Sequence, residues 1–165
     1  MGDWNRPLTD SERTLVDAAR AGARLRYEGR IVAHRSCGIA LAETFGRATP
    51  AYQSLRRGGI TGVGECGTSL GGRMVLGELL GDPDPGGATT ALLKAAVTEY
   101  DARWPERVGV VGSRVCNDLT APFEDFKGTA RKGYCTRLAA ETAALVAEVL
   151  VRNGVHVEVE DLGGP

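Results

Sequence analysis

Four cysteines, Cys37, Cys66, Cys116 and Cys135, are the residues of this 165-residue chain best suited to chemistry. A thiolate is a nucleophile, a redox group and a soft metal ligand. The gaps between the cysteines are 28, 49 and 18 residues. With no C-x-x-C, neither a zinc ribbon nor a thioredoxin-type pair is written here, and with no C-x-x-C-H covalent haem attachment is excluded. Four thiols converging at one end of a helical bundle would make an iron–sulfur site, since clusters are held by four cysteine thiolates. Tetrahedral zinc is the alternative occupant. Spacing alone leaves a third reading open, four unrelated buried thiols acting as small hydrophobes.

The elements that must position these thiols read as helices. Apolar residues make up 42% of the chain and aromatic residues only 5%, a filling of Ala, Leu, Val and Gly that suits closely packed helices. Thr9 with Glu12 forms a capping box for a first helix closed or kinked at Gly29. A second helix is expected over residues 30–45, with Cys37 in mid-helix on its core face. Pro50 can start a short helix through Leu55. A glycine-rich stretch follows over residues 59–81; it begins as a loop and becomes a helix at Cys66. A fourth helix is expected over residues 88–104, stopped by Pro105. Ser113 can cap a short helix containing Cys116. The last helix is expected over residues 133–153, with Cys135 in its first turn and a stripe through Leu138, Thr142, Leu145 and Val149. Residues 155–160 alternate with period 2 and read as an edge strand or an ordered tail. Such a strand could pair with a second copy, a homodimer.

The expected fold is therefore all-α: a bundle of about five helices with a glycine-rich loop and a short extended C-terminal tail. One domain is expected over residues 1–165, with a loose arm at 1–8, a four-cysteine core at 30–152 and the tail at 155–165. The net charge is −1, which supplies no field for nucleic acid or an anionic membrane. No run reaches the length of a membrane span, and residues 1–7 do not read as a signal peptide, so a cytoplasmic protein is the expectation.

The chain resembles the C_GCAxxG_C_C family of redox-active proteins over about residues 30–152. Cys37-Gly38-Ile39-Ala40-Leu41-Ala42-Glu43-Thr44-Phe45 is similar to the family's first segment. Gly62-Val63-Gly64-Glu65-Cys66-Gly67-Thr68-Ser69-Leu70-Gly71 resembles its central glycine-rich motif, with Thr68 where Ala is usual. The segments around Cys116 and Tyr134-Cys135 resemble the third and fourth. The resemblance implies a cysteine-ligated iron–sulfur cluster of two or four irons, with all four cysteines as metal ligands, more than any named reaction.

On that reading the backbone N–H groups of Gly62, Gly64, Gly67 and Thr68 are candidate donors to cluster sulfurs. Ser113, Asn117, Tyr134 and Thr136 are candidate side-chain donors beside the ligands. His34, three residues before Cys37, is a candidate proton donor or a partly exposed histidine. Glu43, Glu65 and Asp118 are carboxylates near the cysteines, with solvated charge the default reading. The expected function is redox: electron transfer with a partner protein. The alternatives are an enzyme using an open iron site on a small, sulfur-containing substrate, and a thiol–disulfide or metal-handling protein without a cluster.

Overall fold

Thr9 starts the first helix as its side chain directs: its hydroxyl accepts the Glu12 N–H at 3.2 Å, and the Glu12 carboxylate accepts the Thr9 N–H at 2.8 Å. The helix, α1 (Asp10–Glu28), ends where Gly29 takes the left-handed conformation with φ 73°. The computed structural model describes residues 1–162. The elements that follow are α2 (Gly38–Thr44), a 3₁₀ turn (Pro50–Leu55), α3 (Gly67–Leu80), α4 (Ala91–Val108), α5 (Cys116–Thr120) and α6 (Thr129–Arg152). The fold is all-α; among the described residues there is no strand, only one antiparallel bridge between Glu65 and Val115.

The α6 stripe is the spine of the core. Leu138, Thr142, Leu145, Val146, Val149 and Leu150 are buried, and the helix packs along α1, α3 and α4. The fully buried Trp and Tyr rings of the core each find a polar partner, as amphipathic rings must. Trp104 donates its indole N–H to Thr142 Oγ1 at 2.9 Å, joining α4 to α6. Tyr100 donates to the Ser69 carbonyl at 2.9 Å, joining α4 to α3.

Three expectations are corrected, and between the two readings of residues 155–160 one is decided. The second helix covers only α2. After Gly29 the chain turns back, the Arg35 N–H donating to the Arg26 carbonyl at 2.9 Å. Cys37 then has φ 48° and ψ −125°, outside the helical region. Cys37 is thus the residue before a short helix and not a mid-helix residue. Pro105 lies inside α4, which continues to Val108. α6 begins four residues earlier than expected, which places Cys135 in its second turn. Residues 155–160 form no strand. They lie on the protein's own surface, where Val157 is buried and the Glu160 N–H donates to the Thr44 carbonyl at 3.1 Å. The tail's last residues, 163–165, lie outside the described residues.

The arm of residues 1–8 lies against α4 and α6. The Gly2 N–H donates to Glu99 at 2.6 Å, and the guanidinium groups of Arg103 and Arg152 stand 3.8 and 4.7 Å from the Trp4 ring. No described helix is long and apolar enough to cross a membrane.

Candidate metal centre

Each cysteine is held by a different element, three of them at a helix start and Cys135 within α6. Cys37 precedes α2. A Cβ on Gly67 would stand 2.8 Å from Cys37 Cβ and 2.1 Å from the Leu55 carbonyl oxygen, so glycine is what lets the start of α3 meet this residue. Cys66 precedes α3, and its N–H donates to the Arg114 carbonyl at 2.8 Å. Cys116 opens α5; its N–H donates to the Gly64 carbonyl at 3.0 Å. A Cβ on Gly58, itself at φ 57°, would stand 2.5 Å from Cys116 Cβ. Cys135 comes from α6.

All four thiols line one cavity, together with Tyr27, Gly67, Thr68, Leu119, Thr120 and Leu138. The cavity holds about 20 Å³ for the centre of a water-sized sphere, about what one water needs. Organic ligands need pockets of roughly 300–1,000 Å³, so the donor set and the space suit a compact inorganic group. Among the described residues, no three His, Cys, Asp or Glu side chains stand close enough to hold a single metal ion. A lone zinc with sulfur ligands at about 2.3 Å requires such closeness. The four thiols share a cavity but are spread around it.

Burial disfavours the thiolates of Cys37, Cys66 and Cys116. Burial pushes Cys37 up to about 12 and Cys116 up to about 11, with neighbouring thiols adding to both. Burial also raises Cys66, against hydrogen bonds from the Thr68 hydroxyl and the Ser69 and Thr68 main-chain N–H groups that favour its thiolate. Thr68 Oγ1 lies 3.0 Å from Cys66 Sγ. A soft cation reverses this preference, because metal binding displaces the thiol protons.

The other expected site residues divide. Gly67 and Thr68 line the cavity. The N–H groups of Gly62 and Gly64 donate to the Arg57 and Gly58 carbonyls at 2.8 and 3.0 Å, so they do not face sulfur. The glycine loop instead grips the next segment with its carbonyls: Gly62 and Gly64 accept the N–H groups of Asn117 and Cys116. Ser113, Asn117 and Tyr134 do not line the cavity. Ser113 accepts the Val115 N–H at 3.0 Å, the Asn117 side chain lies over Gly62, and the Tyr134 ring packs on Phe123 at 5.2 Å. Thr136 donates to the Lys132 carbonyl at 2.8 Å. His34 meets the Tyr27 carbonyl through Nδ1 and stands edge-on to that ring at 4.8 Å. Glu65 is paired with Arg73 at 3.0 Å and Glu43 with Arg35 at 2.9 Å.

A family model described as "Putative redox-active protein (C_GCAxxG_C_C)" matches residues 35–149. The chain belongs to this family. No curated protein and no solved structure matches it. The C_GCAxxG_C_C match contains all four cysteines, but it leaves out Tyr27, the one ring in the cavity wall. Tyr27 lies ten residues before the first cysteine, so no cysteine motif points to it. The available signal was the i, i+4 spacing of Ala19, Ala23 and Tyr27, all buried on one face of α1.

Proposed function

We propose that Cys37, Cys66, Cys116 and Cys135 together hold one iron–sulfur cluster and that the protein carries electrons to or from a partner. The observation that supports this is the convergence of four thiols from four separate elements on one small cavity. Nothing in the covalent chain obliges residues so far apart to meet.

When bound, the cluster supplies a one-electron redox centre. The chain supplies its setting. The Thr68 hydroxyl and the N–H groups of Thr68 and Ser69 stabilise negative charge on Cys66, which favours the reduced state. Leu119, Leu138 and the Tyr27 ring exclude water. The test is anaerobic purification and reconstitution with iron and sulfide, read by visible absorption and by iron and sulfide content. Loss of the cluster in Cys66→Ser and Cys116→Ser is the expected outcome. A colourless wild-type protein without bound iron or sulfide would sink this reading and leave thiol–disulfide or metal-handling chemistry.

One observation favours a second reading. Cys66 and Cys116 are buried, whereas Cys37 and Cys135 are partly exposed. An enzyme would use such a position to bind a small, sulfur-containing substrate at an open iron. A cluster that persists in Cys37→Ser or Cys135→Ser distinguishes it.

A further inference from the structure

A groove of about 510 Å³ runs between α1 and α6 and shares no residue with the thiol cavity. Its charges are of two kinds. Arg20 is paired with Asp17 and, at 2.9 Å, with Glu141; Arg24 is paired with Glu28 at 3.1 Å. Arg30, Lys132 and Arg137 also line the groove, and none has a carboxylate partner among the described residues. Arg137 gives one N–H to the Val108 carbonyl at 2.6 Å, at the end of α4, and stands 5.4 Å from the Tyr134 ring. Three cations without a carboxylate partner thus share one groove in a chain whose net charge is −1.

Gly133 lines the groove and is exposed. It lies inside α6, where glycine is less stable than alanine, yet a Cβ there meets nothing within 4 Å and the backbone does not need φ > 0. Neither packing nor backbone conformation asks for glycine. What its missing side chain does is leave the groove open between Lys132 and Arg137.

We propose that this groove binds a small polyanion with at least two oxyanion groups, a phosphate ester or a polycarboxylate. The guanidinium forks of Arg30 and Arg137 match oxyanions, and Lys132 adds a point charge in the same groove. The volume falls within the range of small-molecule sites. Arg20 and Arg24 are already held by Glu141 and Glu28, which leaves three cations, few for the many phosphate contacts a nucleic-acid strand needs.

The test is calorimetric titration of the full chain with pyrophosphate and with citrate at constant ionic strength, with chloride as the control. Saturable binding of one anion per chain is expected, and the preferred anion separates phosphate from carboxylate. Arg30→Gln with Lys132→Gln weakens it by about tenfold or more, the size of lost charge-assisted hydrogen bonds. Gly133→Leu keeps every charge and fills the groove; it weakens binding as strongly, with the helical circular dichroism unchanged. Binding that survives either variant overturns the proposal. So does retention of a polymer such as heparin with no saturable binding of either small anion.

Discussion

The Arg114 guanidinium donates to the main-chain carbonyl of Asp101 at 2.7 Å. In an unbroken helix that carbonyl would take the N–H of residue 105, and Pro105 has none. Arg114 replaces the missing donor, which is how α4 passes through a proline. The same side chain stands 5.1 Å from the Trp104 ring, and the main-chain carbonyl of Arg114 accepts the Cys66 N–H. Replacing it as Arg114→Met leaves the carbonyl without a partner, and a loss of about 1–2 kcal/mol is expected by urea denaturation. Pro105→Ala restores the helical donor and should recover part of that loss. Additive effects of the two changes would count against the substitution of one donor for the other.

Two glycines of α3 should respond with opposite signs. A Cβ on Gly71 would stand 2.6 Å from Gly38 Cα, main chain that cannot give way, whereas a Cβ on Gly77 meets nothing within 4 Å. Gly71→Ala should destabilise by about 1–3 kcal/mol through overpacking. Gly77→Ala should stabilise by up to about 1 kcal/mol through helix propensity. Thermal unfolding of the two variants beside the parent decides it.

The Thr68 hydroxyl is buried 3.0 Å from Cys66 Sγ. Thr68→Val keeps the shape and removes the donor. The expected cost to the thiol form is about 0.5–1.5 kcal/mol. In the reconstituted protein the midpoint potential should fall, while Thr68→Ser should hold it near the parent value. A redox titration of the three proteins reads this directly.

Acid should loosen the start of α1. Hydrogen bonds from the Arg6 guanidinium, then from the Thr9 N–H, hold the Glu12 carboxyl at about 2, below its ordinary 4.5. A depressed carboxyl contributes stability that is fully present above the ordinary value and is lost as pH falls from about 4.5 toward about 2. Glu12→Gln removes this contribution. The stability difference between parent and variant, followed by urea midpoints, should shrink across that window and stay level above it.

Local rules made the helix starts legible where a side chain closes a loop on its own backbone, as Thr9 and Glu12 do. Periodicity showed the α6 stripe, because burial on one face is written every third or fourth residue. Family resemblance pointed to the four cysteines as one group, and the structure places them on one cavity. What stayed hidden depended on distant partners. Pro105 reads as a stop unless Arg114 is known to stand over Asp101. Residues 30–37 carry a helical pattern, but the turn at Gly29 and the positive φ of Cys37 fix a different path. The glycine loop was expected to offer N–H groups to sulfur. It offers carbonyls to α5 instead, a choice set by the pairing of Glu65 with Val115.

α6 supplies both the cover for the Ala19, Ala23 and Tyr27 face of α1 and the last thiol of the cavity. A chain still on the ribosome, stopped before this helix, displays an uncovered face and three cysteines without their fourth. Before α6 is made the cavity lacks both its fourth thiol and its Leu138 wall, so a cavity of this composition exists only once the chain has been synthesised through that helix.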